Sequence, residues 1–267
     1  MVVVAVVAVL IVVNLTRSKT AASSTTGAQP NVVAATTGLT SSQLSSAGVG
    51  SGAVSPPVAT KGATPLVSNG KPEVLYIGAE YCPYCAAERW PMVVALSRFG
   101  TFSHLGQTES STTDKYPGTK TFSFYGSTYS SRYLTFTPVE TQTNQPAKSG
   151  GGYVTLQTPT PAQQKLQLKY DAAPYTTSPG IPFIDFGNKY LVLGASYNPS
   201  VLQGLSMATI AGSLSDPSSP PAKAILGTSN LLTAAICKMT GEMPASVCAT
   251  PSITKAEAAL KPPPAGA

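Results

Sequence analysis

Val74-Leu75-Tyr76-Ile77-Gly78-Ala79-Glu80-Tyr81-Cys82-Pro83-Tyr84-Cys85-Ala86-Ala87-Glu88-Arg89-Trp90 decides how this chain is read. Its first four residues are apolar, β-branched or aromatic, the composition of a buried strand. Beyond the second cysteine, Ala86, Trp90, Val93 and Val94 recur at i, i+4, i+7 and i+8, one face of a helix, and Gly100 after Phe99 is a stop signal. The tetrapeptide Cys82-Pro83-Tyr84-Cys85 is therefore expected where a strand turns into a helix. Pro83 suits the first helical position, because its missing N–H would have no partner there. Cys82 then occupies the helix N-terminus, where free N–H groups and the helix dipole favour a thiolate. Cys85, one turn on, is placed to attack a mixed disulfide formed at Cys82, the geometry of thiol–disulfide exchange. Cys82 is expected to be the exposed, acidic thiol, with Tyr84 lining the entrance.

The same spacing is also half a zinc site, but zinc takes four ligands. The other cysteines, Cys237 and Cys248, are distant in sequence, and His104 is the single histidine. No metal is expected. His104 reads as an ordinary strand or turn residue, since nothing ties it to Cys82. A structural disulfide within the tetrapeptide is the other alternative, and the strand-to-helix setting favours redox chemistry over it.

The stretch resembles the thioredoxin superfamily. A second match is Gly180-Ile181-Pro182-Phe183-Ile184-Asp185-Phe186, then Gly187-Asn188, then Tyr190-Leu191-Val192-Leu193, which looks like that family's cis-proline loop entering a β-hairpin. The resemblance covers roughly residues 71–214. More narrowly, Gly78-Ala79-Glu80-Tyr81-Cys82-Pro83-Tyr84-Cys85-Ala86 and the late cysteine pair resemble membrane-anchored, extracytoplasmic thioredoxin-like proteins of a family catalogued as a domain of unknown function. The resemblance implies an α/β fold of thioredoxin-like type, a central mixed sheet flanked by helices, with an extra C-terminal helical segment. It also implies a cis peptide between Ile181 and Pro182, the second strand lying beside Val74–Ile77, and Pro182, Ile181 and Tyr84 bordering the substrate. One departure is that thioredoxin buries an acid in the strand before its cysteines, whereas Val74 to Ile77 contains none. Glu80 and Glu88 are the nearest acids.

Lys and Arg total 17 against 11 acidic residues, a net charge of +6, but the basic residues are scattered and form no run of the kind that binds nucleic acid. An even count of four cysteines permits two disulfides in an oxidising compartment.

Residues 1–15 are expected to be a membrane anchor. The apolar run Met1 to Val13 would span ~20 Å as a helix, short of a ~30 Å hydrocarbon core, so the anchor reads as truncated. Arg17 and Lys19 follow it and no cleavage site is evident, which argues against a removed signal peptide. Residues 16–66, rich in Ser, Thr, Ala and Gly, read as a disordered spacer. The thioredoxin-like domain is expected over 67–217, starting at the Asn69-Gly70 turn. Thr121–Tyr125 and Tyr133–Thr137 alternate like half-exposed strands, and Thr160 to Tyr170 reads as a short helix. Asn198-Pro199-Ser200 opens another helix, carrying Val201 to Ile210. A helical extension over 218–249 carries Cys237 and Cys248, which close a short loop at a helix end and are expected to form a structural disulfide, the rival being a shuttle pair serving Cys82. Residues 250–267 read as a disordered tail.

These readings predict a single-pass protein of the cell membrane whose extracytoplasmic domain exchanges disulfides with cysteine-containing exported proteins. A membrane redox partner would recycle the dithiol, and no cofactor beyond the Cys82–Cys85 pair is required. The alternatives are a non-catalytic binding module of the envelope and a metal chaperone.

Overall fold

A computed structural model describes residues 25–50, 54–148 and 150–267. The first half contains β1 (Thr26–Gly27), α1 (Pro30–Thr37), α2 (Ser41–Ala47), β2 (Val58–Ala59), β3 (Val67–Ser68), β4 (Lys71–Gly78), α3 (Pro83–Ser97), β5 (Gly100–Ser103), β6 (Gly106–Glu109) and β7 (Lys120–Ser123). It continues with β8 (Thr128–Ser131), β9 (Thr135–Glu140), β10 (Gln142–Pro146), β11 (Tyr153–Thr155), α4 (Pro161–Tyr170), β12 (Phe183–Phe186) and β13 (Tyr190–Leu193). After a 3₁₀ turn at Pro199–Leu202 come α5 (Met207–Ser213), α6 (Pro220–Thr240), α7 (Ala245–Cys248) and α8 (Pro251–Ala258).

The architecture is mixed α/β, a mixed sheet flanked by helices. β4 lies at its centre, antiparallel to β12 with Phe183 opposite Ile77, and parallel to β9 with Gly78 opposite Glu140. β12 turns into β13 through Gly187 and Asn188, both at positive φ, and β2 extends the sheet beyond β13. Asn69 (φ 52°) and Gly70 (φ 72°) form the tight turn from β3 into β4, the left-handed pair that a two-residue hairpin needs. Pro138 sits within β9 and has no N–H to donate, a placement that suits a strand at the sheet margin.

The two faces of the sheet bury different residues. Val74 and Tyr76 pack with α3, and Leu75 and Ile77 pack with Leu166 and Tyr170 of α4. α3 is buried from Cys85 through Leu96, on all sides and not on one face alone, because the sheet covers one side and α6 the other. Tertiary packing thus adds Glu88 and Arg89 to the buried set that the periodicity of Ala86, Trp90, Val93 and Val94 marks.

Several boundaries match the sequence reading and some do not. α4 starts at a capping box, with Thr160 and Gln163 bonded reciprocally. The helix expected from Asn198 is split in two, because Gly204 at φ 74° interrupts it. The expectation of a disordered spacer over 16–66 is overturned for its described part. There α1 and α2 are formed, Val32 and Leu44 are buried, and α2 carries its own capping box at Thr40 and Gln43. Composition misleads here because two short helices need only one or two apolar residues each when a third helix supplies the rest of the surface. The disordered tail is likewise corrected. α8 buries Ile253 and Ala256, and the Lys261 N–H donates to the Pro57 carbonyl at 3.0 Å, tying the C-terminal segment to the strand at Val58. The anchor expected at 1–15 lies outside the described residues. No helix of the described residues is long and apolar enough to cross a membrane.

Candidate active site

The site begins where β4 gives way to α3. Cys82 is the N-cap of α3, extended at φ −77° and ψ 120°, and Pro83 takes the first helical position. The Cys82 sulfur accepts a hydrogen bond from the Cys85 backbone N–H at 3.3 Å, a cap made by a thiol instead of a hydroxyl. Both thiols are free, and both are buried, Cys82 at 4% exposure and Cys85 at 0%. The expected exposure of Cys82 is therefore corrected. The loop at Pro182 covers it, and the Cys82 thiol donates to the Ile181 carbonyl oxygen at 3.6 Å. The Ile181–Pro182 peptide is cis. Two segments 99 residues apart in the chain are thus joined at one sulfur.

The two thiols are electrostatically unequal. The Cys82 thiol is pulled below its ordinary value, first by a hydrogen bond from the Cys85 side chain, then by backbone N–H groups and the Arg89 guanidinium, against the cost of burial. Burial pushes the Cys85 thiol well above its ordinary range, and donating to Cys82 raises it further.

Beneath the pair is a buried polar cluster that sequence reasoning missed. Arg89 Nε and Nη2 donate to the two oxygens of Glu140 at 2.8 and 2.7 Å, and Nη2 also donates to the Ala79 carbonyl at 2.7 Å. Neither side chain of this ion pair is exposed to solvent. The guanidinium carbon lies 5.9 Å from the centre of the Tyr76 ring. The Tyr76 ring leans over Gly78, where a Cβ would fall 2.2 Å from the hydroxyl oxygen, so only glycine fits there. The available signal was Arg89 at i+4 from Cys85, on the same side of the helix. Glu140 left no such signal, because it reaches the site only through the parallel pairing of β9 with β4.

α3 carries one internal proline, Pro91, which cannot donate to the carbonyl of Ala87. The Tyr197 hydroxyl donates to that oxygen instead, at 2.7 Å, and the Thr121 hydroxyl donates to the neighbouring Ala86 carbonyl at 2.7 Å. Glu88, on the same helix, accepts from the backbone N–H and hydroxyl of Ser196, and burial pushes its carboxyl up to about 7. Glu80, the other acid named from the sequence, is buried and accepts from the hydroxyls of Ser123 and Thr25.

Around the cysteine turn stands a tyrosine rim. Tyr84 is 37% exposed and meets Tyr116 edge-on, and Tyr81 stacks on Tyr153 with ring centres 4.1 Å apart. The Tyr153 hydroxyl and Ser111 are bonded at 2.7 Å, and the Ser111 N–H donates to the Tyr81 carbonyl, so the β10–β11 hairpin and the loop after β6 are fastened to the turn.

Cys237 and Cys248 form a disulfide between the last turn of α6 and α7, and both are buried. Glu242 lies close to the two sulfurs, the one group of metal-ligating residues gathered among the described residues, but its thiols are consumed by the bond. His104 sits at φ 58° in the turn between β5 and β6, as an ordinary turn residue.

A family model described as a domain of unknown function (DUF929) matches residues 58–238, which contain both cysteines of the tetrapeptide, the Pro182 loop and most of α6. No curated protein and no solved structure is significantly similar to the chain.

Proposed function

Because the chain belongs to the DUF929 family, whose description states no activity, we propose its function from the site itself: a thioredoxin-like thiol–disulfide oxidoreductase. The observation that carries this reading is the opposed environment of two adjacent free thiols at a helix N-terminus, one favoured as thiolate and the other held protonated. A scaffold disulfide has no use for that asymmetry. Support for a thioredoxin-like fold comes from β12 lying beside β4 and from a cis-proline loop against the first cysteine.

In the proposed cycle the Cys82 thiolate attacks a substrate disulfide, forming a mixed disulfide and releasing one substrate sulfur. Cys85 then attacks Cys82, the substrate leaves as a thiol, and the Cys82–Cys85 disulfide remains. The reverse sequence oxidises a substrate dithiol. The Ile181 carbonyl meets the Cys82 sulfur, and Ile181, Pro182 and Tyr84 would align the substrate segment, the Ile181 carbonyl being released for strand addition once Cys82 is a thiolate and no longer donates. Proposed substrates are cysteine-containing exported proteins. The proposed location is the outer side of the cell membrane, held there by an N-terminal anchor and recycled by a membrane redox partner.

The test compares wild type with Cys82→Ser in reduction of insulin and in recovery of a scrambled disulfide substrate. Activity in the wild type and its loss in Cys82→Ser are expected. A wild type with neither activity would favour a non-catalytic binding module. The reduction potential assigns direction, since a value near about −270 mV marks a reductase and one near about −120 mV an oxidase.

A further inference from the structure

Two buried polar atoms beneath the cysteine turn have no partner, the Tyr76 hydroxyl and Arg89 Nη1. Such orphans cost free energy and are uncommon without a role. Both belong to the cluster under Cys85. Arg89 follows Cys85 by one turn of α3, and its guanidinium is held in place by Glu140 and by the Ala79 carbonyl. The same Ala79 carbonyl accepts the Cys82 N–H at 3.3 Å, so the guanidinium is fastened to the backbone of the cysteine turn. Both Glu140 oxygens are engaged by Arg89, so this acid is tied up as the partner of the cation. A guanidinium keeps its charge when buried, and in a dry interior that charge acts more strongly on a nearby sulfur than it would in water.

Resting on the exchange reading of Cys82 and Cys85, we propose that Arg89, assisted by Tyr76, is the positioning residue of the resolving step, holding the negative charge on the Cys85 sulfur while that sulfur attacks the mixed disulfide at Cys82. In this step the Cys85 S–H bond breaks, and the Cys85–Cys82 S–S bond forms. The bond from Cys82 to the substrate sulfur breaks, and its electron pair leaves with the substrate, which takes up the proton. The cysteine pair is oxidised and the substrate sulfur reduced, with no further reactant. Arg89 opposes the upward push of burial on Cys85, and its free Nη1–H and the Tyr76 hydroxyl are donors without a partner in the same cluster. A guanidinium cannot take the Cys85 proton, so its part is confined to stabilising the charge of the thiolate.

The experiment mixes the reduced full chain with 5,5′-dithiobis(2-nitrobenzoate) and follows release of thionitrobenzoate. Attack by Cys82 releases the first equivalent, and attack by Cys85 on the resulting mixed disulfide releases the second. Arg89→Lys and Tyr76→Phe are each expected to slow the second release, Arg89→Lys by about tenfold, the scale of one lost hydrogen bond to a charged group, with the first release changed much less. Glu88→Gln, on the same helix but bonded to Ser196, should leave both phases unchanged. A second release at the wild-type rate in Arg89→Lys, or both phases slowed in equal proportion, overturns the inference. Should Arg89→Lys fail to fold, Tyr76→Phe decides alone, because its hydroxyl has no bond to lose and an unchanged second release overturns the inference. A wild type that releases only one equivalent overturns the exchange reading itself, and this inference with it.

Discussion

Cys82 and Cys85 are three residues apart, and their pKa values are driven in opposite directions. The Cys82 thiolate accepts hydrogen bonds and stands at a helix N-terminus, while Cys85 is sealed under the helix. Since the Cys82 thiol lies below its ordinary value of 9.0, its reactive form persists as pH falls where an ordinary cysteine loses it. Iodoacetamide near pH 6 should therefore modify Cys82 first, as read by peptide mass spectrometry, and preferential labelling of Cys85 would reverse the assigned roles. Asp185 shows the opposite cost of burial. Its Oδ1 accepts the Asn188 N–H at 2.6 Å, its Oδ2 has no partner, and burial pushes its carboxyl from 3.8 up to about 7, the nearby charges being Glu73 and Lys169. Between pH 4 and pH 7, roughly, the folded state keeps a proton that the unfolded chain has released, so this residue makes stability fall as pH rises. Asp185→Asn keeps the acceptor for Asn188 and removes the titration. It should stabilise the protein at pH 8 by up to about 4 kcal/mol and by little at pH 4, a difference measurable by urea unfolding at the two pH values.

At the scale of elements, α3 depends on residues distant in sequence. Pro91 deprives the Ala87 carbonyl of its helical partner, and Tyr197 supplies the replacement. Tyr197→Phe keeps the ring and strands a buried carbonyl, so a loss of about 1–3 kcal/mol is expected in denaturant unfolding, and an unchanged midpoint would show that the carbonyl finds another donor. The late disulfide fixes the end of α6 in a similar way. Cys237 and Cys248 are 11 residues apart, and a loop of that size stabilises by ~3 kcal/mol on chain entropy. The paired Cys237→Ser and Cys248→Ser variant should lose stability on that order while keeping two-phase thionitrobenzoate release. Normal stability together with failure to turn over with a membrane partner would instead favour a relay. What was legible in the sequence at this scale was local. The strand, the Pro83 start of α3, the helix opening at Thr160 and the Gly187-Asn188 turn each rest on residues within a few positions of one another. Glu140 and Tyr197 were not legible because strand pairing and loop packing bring them in from 51 and 110 residues away.

For the molecule as a whole, residues 30–50 are packed into the core and are not a tether. The Asn230 side-chain amide of α6 donates to the carbonyls of Leu44 and Gly48 at 2.7 Å each, closing the end of α2. Gly227 lets the backbone at Gly50 approach α6 so closely that a Cβ would stand 2.7 Å from its nitrogen. Val32 and Leu44 fill the remaining surface at 1% and 4% exposure. These contacts matter to the redox site because α6 is the helix that covers α3 on the side away from the sheet. Ser and Thr dominate the composition of α2, so its sequence carries little sign of a core segment, and the Thr40–Gln43 capping box was its one readable signal. A spacer and a structural strap make opposite predictions for a chain beginning at residue 54. Loss of a spacer would leave the thermal midpoint of the domain unchanged. Loss of the strap exposes the apolar side of α6 and the Asn230 amide together, and should lower the midpoint steeply or abolish cooperative unfolding. Leu44→Ala is the graded version, expected to cost about 2–5 kcal/mol as a large-to-small change in a packed site. If the strap also steadies α3 through α6, the same substitution should broaden the labelling preference for Cys82 over Cys85 near pH 6. A Leu44→Ala protein with wild-type stability would return these residues to the role of a tether.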